Sequence, residues 1–205
     1  MNIALVNELA IFANQLGVDV WESIDAAATK PFGFMKFTPG PGVGGHCLPV
    51  DPSYLSWQVR RQLGKSFRFV ELANDVNDHM PDHVVQRVMT MLNRDAKSVR
   101  NARILLIGLS YKPNTGDIRE APSVRVIELL EELGAVLSAV DSHVEEHRWP
   151  RGVANVDLSE EVLGTHDLAI VLTNHGDVDL TVLEDGSLPV FDARHVLHGN
   201  SVEHL

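Results

Sequence analysis

Apolar positions recur at helical spacing from the first residues. Ile3, Leu5, Val6, Leu9, Ala10, Phe12, Ala13 and Leu16 predict a helix over 2–16, with Gly17 as its C-cap. A shorter helix is expected over 19–29, and a third over 52–63, starting at the Asp51-Pro52 signal and closed by Gly64. The stretch 67–92 is long and amphipathic, with Val70, Ala73, Val76, Met80, Val84, Val88 and Met91 on one side. Pro81 lies inside it, so the helix kinks there or a new one begins. After the polar, basic run at 93–103 the period changes. Ile104 to Gly108 is short and wholly apolar, as in a buried parallel strand. A helix over 123–133, a strand over 136–140, a short helix over 159–163 and strands over 168–172 and 189–191 follow. Strand and helix in alternation predict an α/β fold with a parallel sheet. Ligands on such sheets bind at the carboxyl ends of the strands, here the loops 109–122, 141 onward and 173–175. Residues 201–205 carry no structural signal.

One stretch, 37–52 (FTPGPGVGGHCLPVDP), obeys neither period. Its density of glycine and proline predicts a shaped loop in which backbone comes close to a ligand. It holds the chain's single cysteine, Cys47, with Asp51 four residues on, an arrangement suited to an activated nucleophile. The bland alternative is a small buried residue on a plain turn. Gly40 to Gly45 spells G-x-G-x-x-G, but no strand leads into it, which excludes a dinucleotide fingerprint. His46, Cys47 and Asp51 lack a fourth ligand at zinc spacing, so no metal is expected.

Composition narrows the classes. The net charge of −11 argues against nucleic acid and anionic membranes as partners. No apolar run approaches the roughly 20 residues of a membrane span, and no signal peptide is recognisable. One cysteine allows no internal disulfide and fits a reducing cytoplasm. Met1-Asn2 runs straight into a helical pattern, which reads as the middle of a longer protein.

The second candidate loop, 108–122 (GLSYKPNTGDIREAP), follows the first strand. Lys112 and Arg119 suit phosphate oxygens, Asp117 could orient Arg119, and Tyr111 is placed to stack on a ring or to pack. The competing reading is a solvated loop with a surface ion pair. Arg194, after the last strand, again points to the ligand edge.

Asn7-Glu8, the 40–52 segment and the 108–122 segment, in this order, resemble the UDP-glucose/GDP-mannose dehydrogenase family over nearly the whole chain. Val50, where UDP-glucose dehydrogenases usually carry lysine, is more similar to the branch that oxidises UDP-N-acetylhexosamines such as UDP-N-acetylmannosamine. The resemblance implies a central helical dimerisation domain at 1–96 and a Rossmann-like UDP-sugar-binding domain at 97–205, without the N-terminal NAD domain and its catalytic lysine. It implies Cys47 as the nucleophile that carries a thiohemiacetal and then a thioester, and Asp51 as the acid acting on the water and proton steps. Phe37, Gly40, Gly42, Gly44, Gly45, Tyr111, Lys112 and Arg194 become substrate-binding positions, and Arg119 a contact to NAD across the cleft. The expected chain is a homodimer, inactive alone, that dimerises through the apolar face Val76, Met80, Val84 and Val88. Two other readings stay open: a non-catalytic UDP-sugar-binding and assembly module, and a cysteine hydrolase.

Overall fold

The computed structural model describes residues 1–205. Helix α1 spans Asn2–Leu16 and ends on Gly17 in the left-handed conformation. Helix α2 spans Val20–Ala28, capped by the Asp19 carboxylate, which accepts the Trp21 and Glu22 amides. Helices α3 (Cys47–Leu63), α4 (Arg68–Asp78) and α5 (Met80–Arg94) follow. The break at His79 puts Pro81 in the first turn of α5, where its missing N–H costs nothing. The second half builds β1 (Arg103–Ile107), α6 (Pro122–Glu132), β2 (Val136–Val140), β3 (Ala154–Asn155), α7 (Glu160–Leu163), β4 (Leu168–Val171), β5 (Val190–Asp192) and β6 (Val202–His204). The six strands form one parallel sheet in the order β3-β2-β1-β4-β5-β6. No helix is long and apolar enough to cross a membrane.

Alternation along the central strands divides the core. Ile104, Leu106, Leu137, Ala139, Leu168, Ile170 and Phe191 face one side, where α5 and α6 cover them. Leu105, Ile107, Val140, Ala169, Val171 and Val190 face the other, under α7 and the turn at 181–183. A small separate core joins α1 to α2 through Val6, Ala10, Val20, Trp21 and Ile24.

Three expectations need correction. The third helix begins at Cys47, five residues before Pro52. The first amides of a helix have no intrahelical acceptor, so Pro49 is tolerated in the first turn, and only Pro52 removes a helical bond. The segment 201–205 is structured: β6 pairs with β5, and the Trp21 indole donates to the Leu205 carbonyl at 3.2 Å. The face Val76, Met80, Val84 and Val88 is not a free surface. Met80, Val84 and Val88 are fully buried in the sheet's own core. Helix α5 therefore lies before the division expected at 96/97 yet packs with the sheet.

Candidate functional site

The 37–46 segment lies between the helical part and the carboxyl edge of the sheet, and its glycines are where the two press together. A Cβ built on Gly40 would sit 2.9 Å from the Arg194 guanidinium, and one on Gly42 3.0 Å from Pro122. On Gly44 it would meet Tyr111 Cβ at 2.6 Å and the Glu120 carbonyl at 2.7 Å, and on Gly45 the Tyr111 ring at 2.9 Å. At Gly44 and Gly45 a side chain would displace backbone or the Tyr111 ring, at Gly42 the left-handed φ of 137° adds strain to a tight contact, and at Gly40 the Arg194 guanidinium would have to move. Two amides of the loop are spent inside the protein. The Gly40 N–H donates to Asn7 Oδ1 at 2.9 Å, and the Gly45 N–H to the Arg119 carbonyl at 3.1 Å. Phe37 packs against the α1–α2 core.

Two residues after Gly45 the chain turns into α3, and Cys47 is its first helical residue. Cys47 is exposed and sits in the first turn of a 17-residue helix, at its positive end. Asp51, one turn further on, shares its face, since residues four apart on a helix are neighbours. Arg119 stands close enough to Cys47 and Tyr111 for an anion at either position to favour its guanidinium.

Arg119 is gripped by Asp117 through Nε at 2.9 Å to Oδ1 and Nη2 at 2.6 Å to Oδ2. These bonds hold the Asp117 carboxyl down at about 2 and raise the guanidinium. Lys112 is exposed, its Nζ 5.3 Å from the Tyr111 ring centre. Arg194 is largely desolvated: burial pushes it down to about 10, with the Asp192 charge opposing, and its Nε donates to the Leu172 carbonyl at 2.6 Å. The structure thus brings the Cys47 loop, Tyr111, Arg119 and Arg194 to one edge.

Sequence reasoning quoted Asn7 as part of the resemblance and placed Asp141 and His175 in strand-end loops, but gave none of them a role in holding this edge. Asn7 is fully buried. Beyond accepting the Gly40 amide, it donates through Nδ2 to Asn77 Oδ1 at 3.0 Å, tying the loop to α4. Asp141 and His175, at the carboxyl ends of β2 and β4, are both buried. Polar residues directly after apolar strands were the available signal. His143, His175 and Asp177 present ligand atoms within 4.8 Å of one another. Both ring nitrogens of His175 are already engaged, however, by the Asn114 amide and by Asp141.

Comparison with known proteins bears on this arrangement. Residues 1–79 match the UDP-glucose/GDP-mannose dehydrogenase family, central domain, and residues 105–199 match its UDP binding domain. A UDP-N-acetyl-D-mannosamine dehydrogenase of Methanococcus maripaludis (strain C7) is 33% identical over 208 residues, 98% of this chain and 46% of that protein. An NDP-N-acetyl-D-galactosaminuronic acid dehydrogenase of Ralstonia nicotianae is 35% identical over 179 residues, 85% of this chain and 40% of that protein. The solved UDP-D-ManNAc dehydrogenase of Pyrococcus horikoshii superposes with a TM-score of 0.81 at 28% identity, covering 99% of this chain and 47% of its own. The chain spans about half the length of the curated relatives it matches. With both family regions matched in order and the fold shared throughout, the chain belongs to the UDP-glucose/GDP-mannose dehydrogenase family.

Proposed function

We propose that this chain is the substrate-binding, thiol-bearing part of an NAD-dependent nucleotide-sugar 6-dehydrogenase acting on a UDP-N-acetylhexosamine. The observation that carries the reading is the placement of Cys47 at the head of α3, beside the loop holding Tyr111, Lys112 and Arg119. The names of the relatives support an N-acetylated sugar. Tyr111 and Lys112 bind the nucleotide, and Arg194 the diphosphate side. Cys47 Sγ adds to the C6 aldehyde carbon to give a thiohemiacetal. Once this is oxidised to the thioester, water attacks the acyl carbon, the C–S bond breaks and the uronate leaves with the thiolate restored. Asp51, on the same helical face, takes the proton from that water.

NAD supplies the hydride acceptor for both oxidations. The chain itself offers no cradle for a dinucleotide pyrophosphate. The amides after β1, at Leu109 and Ser110, are taken by the Asp141 carboxylate, and α6 starts only at Pro122. Arg119 is the one contact assigned to it, and this chain alone is inactive as a dehydrogenase. A homodimer is part of the proposal. With the α5 face buried, the pairing surface is the exposed stripe Leu5, Leu9, Phe12 and Leu16 of α1.

Alkylation tests the reading. Iodoacetamide should modify Cys47 faster than a free small thiol, and UDP-N-acetylmannosamine should slow it. Ordinary reactivity with undiminished UDP affinity would favour a binding module, and absence of both effects would overturn the proposal. Turnover of a simple ester without NAD would favour a hydrolase.

A further inference from the structure

The reaction steps above leave the buried imidazole of His175 unused, yet it lies under the loop that carries Tyr111 and Lys112. Its Nδ1 is 3.0 Å from the Asn114 backbone nitrogen. A backbone amide only donates, so Nδ1 carries a lone pair and the ring proton sits on Nε2. Nε2 is 3.0 Å from Asp141 Oδ2 and 3.4 Å from Ser110 Oγ. Asp141 also accepts the amides of Leu109, Ser110, His143 and Val144. Burial pushes that carboxyl up, but the hydrogen bonds prevail and hold it below the ordinary range, so it stays an anion that fixes the Nε2–H tautomer.

Asn114 completes the arrangement. It adopts a left-handed backbone, φ 59°, and its Oδ1 accepts the Gly176 amide at 2.9 Å. The β1 loop and the β4 end therefore exchange hydrogen bonds in both directions, amide to imidazole and amide to side-chain carbonyl. Two hydroxyls secure the backbone beside Tyr111: Thr173 Oγ1 donates to the Ser110 carbonyl at 2.6 Å, and Ser110 Oγ to the Lys112 carbonyl at 2.9 Å. Gly116 seals the far side, where an added Cβ would fall 2.1 Å from the His143 carbonyl.

We propose that His175 is a positioning residue for nucleotide-sugar binding: its imidazole, held by Asp141, accepts the Asn114 amide and latches the 110–117 loop so that Tyr111 and Lys112 meet the nucleotide preformed. The inference rests on the reading that Tyr111 and Lys112 bind the UDP moiety.

Two substitutions separate the ring's two hydrogen bonds. His175→Asn keeps an acceptor at the Nδ1 position and loses the Asp141 contact. His175→Gln keeps a donor near Nε2 and loses the latch. UDP binding to the 205-residue chain, followed by calorimetry, should weaken about tenfold in the Gln variant, the cost of one buried unpaired donor, and clearly less in the Asn variant. Equal losses in the two, or none, would overturn the latch. Amide exchange at Tyr111, Lys112 and Asn114 gives a readout independent of ligand and should quicken in Gln but not in Asn. Nitrogen-15 spectra of the unmodified protein must show a bare Nδ1 and a protonated Nε2 on His175, and the opposite tautomer would overturn the proposal even if neither variant folded. If the unmodified chain binds no UDP, the nucleotide-sugar reading fails, and the exchange and tautomer measurements still decide the latch.

Discussion

At the scale of the residue, the glycines of the 40–45 segment do their work against named neighbours. Gly44 has an ordinary backbone angle, so the effect of a methyl there is purely steric. Its contacts would be Tyr111 Cβ and the Glu120 carbonyl, backbone and near-backbone atoms that cannot swing aside. Gly44→Ala should therefore cost about 1–3 kcal/mol in urea unfolding and weaken UDP binding with it. An unchanged midpoint would mean that the loops yield. The sequence announced the glycine density but not its cause. Close approach to a ligand was the expected reason, and in the structure the neighbours are Arg194, Pro122 and Tyr111 of the same chain. Which surfaces meet across such long stretches of chain is not written in local composition.

At the scale of the element, α5 decides where the apolar surface goes. Its period is strong enough to read from the sequence, but periodicity says only that a face is apolar, not what covers it. Here the cover is β1, β2 and α6. Leu92, 1% exposed, lies on that face, whereas Phe12 of α1 is 53% exposed. Leu92→Ala should lower stability by about 2–5 kcal/mol and leave the mass of the proposed dimer unchanged. Phe12→Ser should leave folding nearly unchanged and yield a monomer by light scattering. A dimer surviving Phe12→Ser would remove α1 from the interface. The sheet was legible because β4 is wholly apolar and β1 and β2 carry one polar residue each, Arg103 and Ser138. Strand β3 has two exposed residues and β6 three half-buried ones, too short and too polar to signal themselves. The start of α3 was hidden because Asp51-Pro52 read as the start of the helix and Pro49 as part of the loop, although the first turn accepts a proline such as Pro49 and the helix carries Pro52 at the loss of one bond.

At the scale of the whole molecule, histidines set the acid limit. His83 is pushed down to about 4 by burial and by the Arg87 charge, and its Nε2 has no partner. His204 is also lowered, by burial and by its neighbour His195. In the unfolded chain both imidazoles titrate near 6.5. The unfolded state thus binds protons first, and stability is full above about pH 6.5 and falls as the pH drops toward 4. Urea midpoints measured from pH 7.5 to 4.5 should decline over that window. In His83→Leu the decline should be shallower, and an identical slope would show that His83 does not contribute. The candidate site was legible as two motifs; the holding roles of Asn7, Asp141 and His175 were not, since they depend on Asn77 and Gly40, on Leu109 and on Asn114, all at least thirty residues away. The glycine seam has one more consequence. A surface without side chains inherits its contour from whatever it lies against. A chimera joining the helical half of one relative to the sheet half of another must match Tyr111, Pro122 and Arg194 before anything else. A mismatch there will surface as a misplaced sulfur in a protein that still folds.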